Sequence, residues 1–435
     1  MQKKYSNILL ASLALLSITA RAQETIYPAK AQKGITVITH ATVHVGNGTV
    51  LNDASVSFEN GKITAVGNIT PAAGATVIDA TGKHVYPGFI LPSSDLGLRE
   101  IASGVRGSND YFEIGENNAN IRSIVAYNTD SKNLAVLREN GILLAGVAPQ
   151  GELIEGSSSV VQLDAWNFED AAYKMDNGIY INMPSLMARR GRGGVLSRVQ
   201  GPDPAKQAQD KIETIKKFFT EAKAYYQEKT HSANNLKFEA VRGLFDGKQK
   251  LFVRAQEVKQ MLLAVDLAKT FGFQLVLVGA SESFQIADFL AANKVQVILD
   301  NEHSLPATED DDVDQPYKTP AALQKAGVVF ALNDNHDQSR FRNLAFNAGT
   351  AATYGLDKEQ ALTAITLNTA KVLGIESVAG SLEIGKDANI LIANGDALDM
   401  RGNVFTKAFI QGRDVSLDNK HKQLYERFKY KYGIQ

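Results

Sequence analysis

The sequence predicts an α/β protein: a (β/α)8 barrel of the TIM type joined to a composite β-sandwich domain built from both chain ends. Three observations carry this expectation. From about residue 87 to residue 375, short continuous apolar runs alternate with amphipathic helical stretches. Alternating, turn-punctuated strand sequence lies before that region and returns after it. The length of 435 residues, with 44% hydrophobic and 21% charged residues, supplies a large core and more than one structural unit. The expected division is a signal peptide over 1–22, a composite β-sandwich over 23–86 and 376–420, the barrel over 87–375 and a C-terminal tail over 421–435.

The N-terminus has the three parts of a secretory signal. Lys3 and Lys4 give a positive start, Ile8 to Ile18 is an apolar run, and Ala20-Arg21-Ala22 offers small residues for cleavage before Gln23. The run is short for a hydrocarbon layer of ~30 Å, so a cleaved leader is favoured over an anchor. The expected location is periplasmic or secreted, with no membrane span after cleavage. The chain has no Cys, which excludes disulfides, thiolate metal sites and a Cys nucleophile. A formal net charge of -1 offers no basic excess for nucleic acid.

Strands follow the leader. "ITVITHATVHVGNG" alternates apolar and polar positions up to a Gly46-Asn47-Gly48 turn. The runs Ala54 to Phe58 and Ile63 to Val66 flank Asn60-Gly61, a strong hairpin signal. His40 and His44 fall in this region and read as ordinary strand residues. Eight apolar runs then read as barrel strands: "YPGFI", Gly141 to Val147, Ser159 to Leu163, Gly178 to Met183, Leu251 to Ala255, Gln274 to Gly279, Val295 to Leu299 and Gly327 to Leu332. The helices between them include "EVKQMLLAVDLAKTFG" and "ESFQIADFLAANK". Such alternation predicts a parallel sheet covered by helices. Ile212, Ile215, Phe219, Ala222 and Tyr226 recur at helical spacing and predict a core-facing stripe. Strand character returns in "SLEIGKDANILIANG", read as a hairpin turning at Gly385-Lys386-Asp387, and in "VFTKAFIQGRDV". Arg189, Arg190, Arg192 and Arg198 sit in a Gly-rich stretch, and Glu309 to Asp314 forms an acidic run. Both read as solvated loops; anion and Ca²⁺ binding are the respective alternatives, and the acidic run lacks EF-hand spacing.

Taken together, "GKITAVG", "YPGFI", "NLAFNAGTAATYGL", "EQALTAITLNTAKVLGI", "GSLEIGKDANILI" and "FIQGRDV" resemble the amidohydrolase superfamily, with an exported, imidazolonepropionase-like flavour. The resemblance runs from about residue 35 to 415 and implies the barrel and sandwich already inferred. Asp357 with Gln360 reads as a helix N-cap, Gly374 as a helix stop and Gly385 as a turn residue. These residues concern fold, not chemistry.

The resemblance also implies chemistry: hydrolysis of C–N bonds other than peptide bonds, or of small dipeptide-like ones. Divalent metal ions, typically zinc, would polarise a carbonyl and activate water. The implied ligands are a His-x-His after strand 1, single His residues after strands 5 and 6, an Asp after strand 8 and, in binuclear members, a Lys on strand 4. At these positions the chain has Ser93 and Asp95 in place of the His pair, with Leu91 before them. It has Arg254 after strand 5, no His in "VLVGASES" after strand 6 and no Lys in "GIYINMP". Asp334 alone matches. Arg stays protonated and does not ligate. At ~4 Å and an effective dielectric of ~20, a dication beside it meets roughly 8 kcal/mol of repulsion. No metal ligand set is therefore assigned, and no cofactor is expected unless a site has been relocated.

Two arrangements remain for the barrel mouth. Arg254 replaces the metal as local cation, pairing with Asp334 and with Asp95 as a second candidate. Or Asp300 and His303 after strand 7 join Asp334 and His336 after strand 8 as a relocated metal site or an acid/base set, against their being plain loop residues. The candidate catalytic residues are thus Asp334, His303 and His336, and the candidate substrate-binding residues are Arg254, Asp95 and Asp300. No Gly-x-Ser-x-Gly elbow or Gly-rich phosphate cradle is present. The functional expectation is a hydrolase-family protein whose own site is weak or inactive. The alternative is a non-catalytic ligand-binding member, or a partner subunit of an intact paralogue. The expected partners are a small amide-like molecule and a homo-oligomer or such a heteromer.

Overall fold

The computed structural model describes residues 27–100, 110–186, 203–228, 230–300, 302–305, 311–334 and 338–434. The expected signal peptide, the arginine-rich stretch, His336 and the first residues of the acidic run lie outside the described residues.

The first sheet draws strands from both ends. β1 (Thr36–His44), β2 (Val50–Glu59), β3 (Lys62–Gly67), β4 (Thr76–Asp79) and β5 (His84–Pro87) come before the barrel. The barrel strands are β6 (Phe89–Ser94), β7 (Ile142–Val147), β8 (Ile154–Gln162), β9 (Ala172–Asn182), β10 (Lys250–Ala255), β11 (Leu275–Gly279), β12 (Gln296–Leu299) and β13 (Phe330–Leu332). β14 (Ile390–Ala393), β15 (Phe405–Ile410) and β16 (Arg413–Val415) return to the first sheet. Its order is β16-β15-β14-β5-β1-β2-β3, with β4 paired to β1. The Phe58 and Phe409 rings meet at 5.1 Å, although their strands are not neighbours in that order. The sheet therefore curls around its own core of Ile38, Val56, Phe58, Ile390 and Phe409.

The Asn60-Gly61 hairpin is present, with both residues at positive φ, 51° and 79°. The expected hairpin in "SLEIGKDANILIANG" is not. The Gly385 amide donates to the Ile63 carbonyl and the Ile63 amide to that of Lys386, so this turn pairs with β3. β14 pairs instead with β5 and β15. The expected tail is a helix, Lys420–Tyr432, capped by Asn419.

The second sheet is the barrel, with β6 to β13 in sequential order. Asn333, just past β13, donates to the Ser93 carbonyl of β6 at 3.0 Å and links the two edges. Each strand sends a side chain into the interior: Ile90, Leu144, Val160, Tyr180, Phe252, Val276, Ile298 and Ala331. Val372, Leu373 and Ile375 belong to the same packed cluster. The helix Pro204–Gln227 buries Ile212, Ile215, Phe219 and Ala222 as its spacing predicts, while Tyr226 stays partly exposed. The helix Val258–Phe271 carries a capping box of Glu257 and Gln260 and ends at left-handed Gly272.

One barrel strand departs from expectation. β8 runs antiparallel to both β7 and β9, while β9 to β13 are parallel. The links 148–153 and 163–171 are shorter than the dozen or so residues a parallel crossover requires, so the chain turns back. The reversal brings the first residues of β8 beside the C-terminal ends of its neighbours, with Ile154 opposite Ile181.

Candidate functional site

Barrel sites form at the C-terminal strand ends, and here that rim is polar and buried. Arg254 lies near the end of β10, two residues beyond the inward-facing Phe252, so the strand alternation points it inward as well. Its Nε donates to both carboxylate oxygens of Glu155, at 3.1 and 3.0 Å. Its guanidinium sits 5.0 Å from the centre of the Tyr180 ring, which stacks in turn on Phe252 at 4.7 Å. Asn182, at the end of β9, donates to Glu155 at 2.8 Å. Glu155 is the residue that the reversed strand brings to this rim, and its side chain is only 2% exposed. Burial pushes its carboxyl upward, and Arg254 and Asn182 offset part of that. Burial also works against the Arg254 charge, but Glu155, Tyr180 and Asp300 outweigh it, and its pKa is raised. Burial pushes the Tyr180 hydroxyl up to about 12, with Arg254 and a hydrogen bond with Ser93 opposing.

The expected pairing of Arg254 with Asp334 or Asp95 is therefore corrected: its partner is Glu155. Asp95 is buried but turned toward its own loop. Its Oδ2 lies 2.9 Å from Arg99 Nε, and its Oδ1 accepts from Gln338 at 3.1 Å. Asp334 is 1% exposed, lies 3.5 Å from Arg340 Nε and accepts from Asn347 at 3.3 Å. Asp300 follows β12, accepts from Asn333 at 2.7 Å and contributes to the field at Arg254. His303 lies farther out. Its Nε2 is 3.1 Å from Thr350 Oγ1, and it lines a surface cleft of about 870 Å³ with Arg340 and Asn347. Asp300, Asp334 and Arg254 thus share the mouth, Asp95 serves its turn, and His303 borders the neighbouring cleft.

Sequence reasoning missed Glu155. The available signal was the short link after Val147, which forces a return strand, and a lone carboxylate inside the otherwise apolar and small-residue "LIEGSSSVVQL". It also passed over Glu302, whose carboxylate is buried at the edge of the same mouth.

The donor set does not fit the divalent centre that the resemblance implies. The strand-5 position holds a guanidinium, and the nearest carboxylate, Glu155, is committed to it. Beyond β11 the chain places Ala280, Ser281 and Glu282, and the Glu282 carboxylate accepts from the Val258 amide at 2.8 Å. Among the described residues, no three His, Asp or Glu side chains converge as a metal would require.

The chain is a barrel protein: an eight-stranded barrel with a polar rim, joined to a second sheet built from both chain ends. Residues 311–415 match the Amidohydrolase family. An imidazolonepropionase from Symbiobacterium thermophilum is 25% identical over 374 residues, covering 79% of this chain and 84% of that protein. A dihydropyrimidinase from Arabidopsis thaliana is 32% identical over 160 residues, but these span 35% of this chain and only 28% of that protein. The solved structure of an amidohydrolase from Thermotoga maritima superposes with a TM-score of 0.75 at 24% identity, over 88% of this chain and 99% of that one. The chain is thus similar to amidohydrolase-family proteins, an imidazolonepropionase among them.

Proposed function

We propose that the barrel mouth binds a small amide-like molecule through Arg254 and its neighbours, and that hydrolysis of C–N bonds by this chain alone is weak or absent. The observation that carries the reading is the Arg254–Glu155 pair, seated over Tyr180 at the strand end where the family resemblance implies a metal-ligating histidine. A fixed guanidinium recognises a carbonyl or carboxylate oxygen through planar N–H donors. It supplies no ionised water. Without a metal to lower the pKa of water from ~15.7 toward ~7, an amide carbonyl meets a poor nucleophile at neutral pH. Among the described residues, the acidic groups of the rim are engaged by arginine or amide side chains, apart from Glu302.

The test combines metal analysis of the purified mature chain with a panel of cyclic amides, N-acyl amino acids and dipeptides, scored for both binding and turnover. The expected result is metal well below one equivalent, saturable binding of at least one amide, and turnover at the background rate. Stoichiometric zinc, manganese or iron with turnover that a chelator abolishes would overturn the proposal.

A further inference from the structure

Beside the mouth, under the segments that follow β11 and β12, lies a pocket of about 220 Å³. Phe284, Leu305 and Pro316 give it apolar walls, and Asp300, Glu302 and Asp311 give it acidic ones; among the described residues no Lys, Arg or His lines it. Glu302 sets it apart. The residue is 2% exposed, and among the described residues neither carboxylate oxygen has a hydrogen-bond partner. A buried polar group without a partner costs stability, so an unexplained one points to a missing ligand. Burial, with Asp300 and Asp334 adding negative charge, pushes this carboxyl well above the usual range. Its own backbone N–H offsets part of this without reaching hydrogen-bond geometry. The cavity has room for about seven waters at ~30 Å³ each, enough for a four-carbon stem ending in an ammonium group.

We propose that this side pocket receives the protonated amine or guanidine end of a ligand, with the Glu302 carboxylate as its counter-ion, while the amide part of the same ligand occupies the mouth at Arg254. The inference deepens the reading of the mouth as an amide-binding site and rests on it. It fixes the ligand class as cationic amides of lysine or arginine type. A cation suits the site because, among the described residues, the wall carries three carboxylates and no positive side chain. The ligand's ammonium proton stays on its nitrogen. A proton held on the Glu302 carboxyl before binding leaves to solvent as the ion pair forms.

Calorimetry on the mature chain with N-acetyl-lysine methylamide and its neutral isostere, N-acetyl-norleucine methylamide, tests this. The lysine compound is expected to bind at least tenfold more tightly. Glu302→Gln, close in shape to the protonated acid, should erase the tenfold preference and leave the norleucine compound unchanged. Arg254→Met should weaken both compounds alike. Equal affinity for the two compounds overturns the pocket assignment and leaves the mouth reading standing. A preference that survives E302Q also overturns the assignment. Binding of neither compound overturns both.

Discussion

Replacing Arg254 with methionine isolates what holds the rim together. The substitution keeps a flexible stem over Tyr180 and removes the only cation that, among the described residues, pairs with Glu155. A unit-charge pair ~4 Å apart at an effective dielectric of ~20 is worth about 4 kcal/mol, and breaking a buried pair typically costs 3–5 kcal/mol. The stranded Glu155 has an escape, because it can take up a proton. Starting from its ordinary value of 4.5, holding the carboxyl neutral at pH 7 costs roughly 3.4 kcal/mol, and at pH 5 roughly 0.7, at 1.36 kcal/mol per pH unit. The loss in R254M is thus capped near 3 kcal/mol at neutral pH and shrinks below about 1 at pH 5. The sign follows from linkage: a carboxyl raised in the folded state is penalised as pH climbs above its unfolded value. For a chain of 435 residues, an unfolding entropy of ~2.1 cal/mol/K per residue converts 3 kcal/mol into a Tm shift of about 3–4 °C. Scanning calorimetry of parent and variant at pH 5 and pH 7 reads the difference, and R254M/E155L should recover most of the loss because it removes the buried charge as well. A deficit equal at both pH values, or under about 1 kcal/mol at pH 7, refutes this account of the pair.

Three further outcomes are expected. Glu302 has a raised folded-state pKa, so its favourable contribution is complete below its unfolded value of about 4.5 and is lost as pH rises toward the folded one; E302Q should gain on the parent between pH 5 and pH 8, and parallel Tm-versus-pH curves would contradict this. Arg413 joins the first sheet to the barrel, with Nη1 2.7 Å from Asp164 and Nη2 donating to Gln162 at 2.6 Å and to the Asp164 carbonyl at 2.9 Å. Lysine cannot span that fork, so R413K should cost about 2–4 kcal/mol in urea unfolding, and a change under about 0.5 would argue against the role. A Cβ at Gly178 would lie 2.2 Å from the Phe252 ring and 2.6 Å from the Lys250 carbonyl; Gly178→Ala should destabilise by about 1–3 kcal/mol or more, measured by the denaturation midpoint.

Features set by local chemistry were legible in the sequence. Asn60-Gly61 favours the left-handed turn by itself, Asp357 caps its helix by accepting from the Gln360 amide, and the helix from Pro204 announces its buried face by spacing alone. The barrel strands were legible because burial on both faces leaves continuous apolar runs. Strand direction was not, since an apolar run reads alike whichever way it points, and only the length of the adjoining link reveals that β8 turns back. The turn at Gly385 misled for a related reason: its hydrogen-bond partner is Ile63, far away in sequence, so no local pattern names it.

The site was half legible by the same logic. Arg254 and Asp334 sit at ends of parallel strands, where position along the strand predicts position in the mouth. Glu155 enters from the start of a reversed strand and escapes that rule. Its arrival also changes how Arg254 is understood. Seen along the sequence, the arginine is the residue at a histidine's place. In the folded barrel it is the partner demanded by a carboxylate that β8 inserts into a nearly dry rim, where an unpaired charge would cost several kcal/mol. The reversed strand and the arginine are one electrostatic unit, and each is costly without the other.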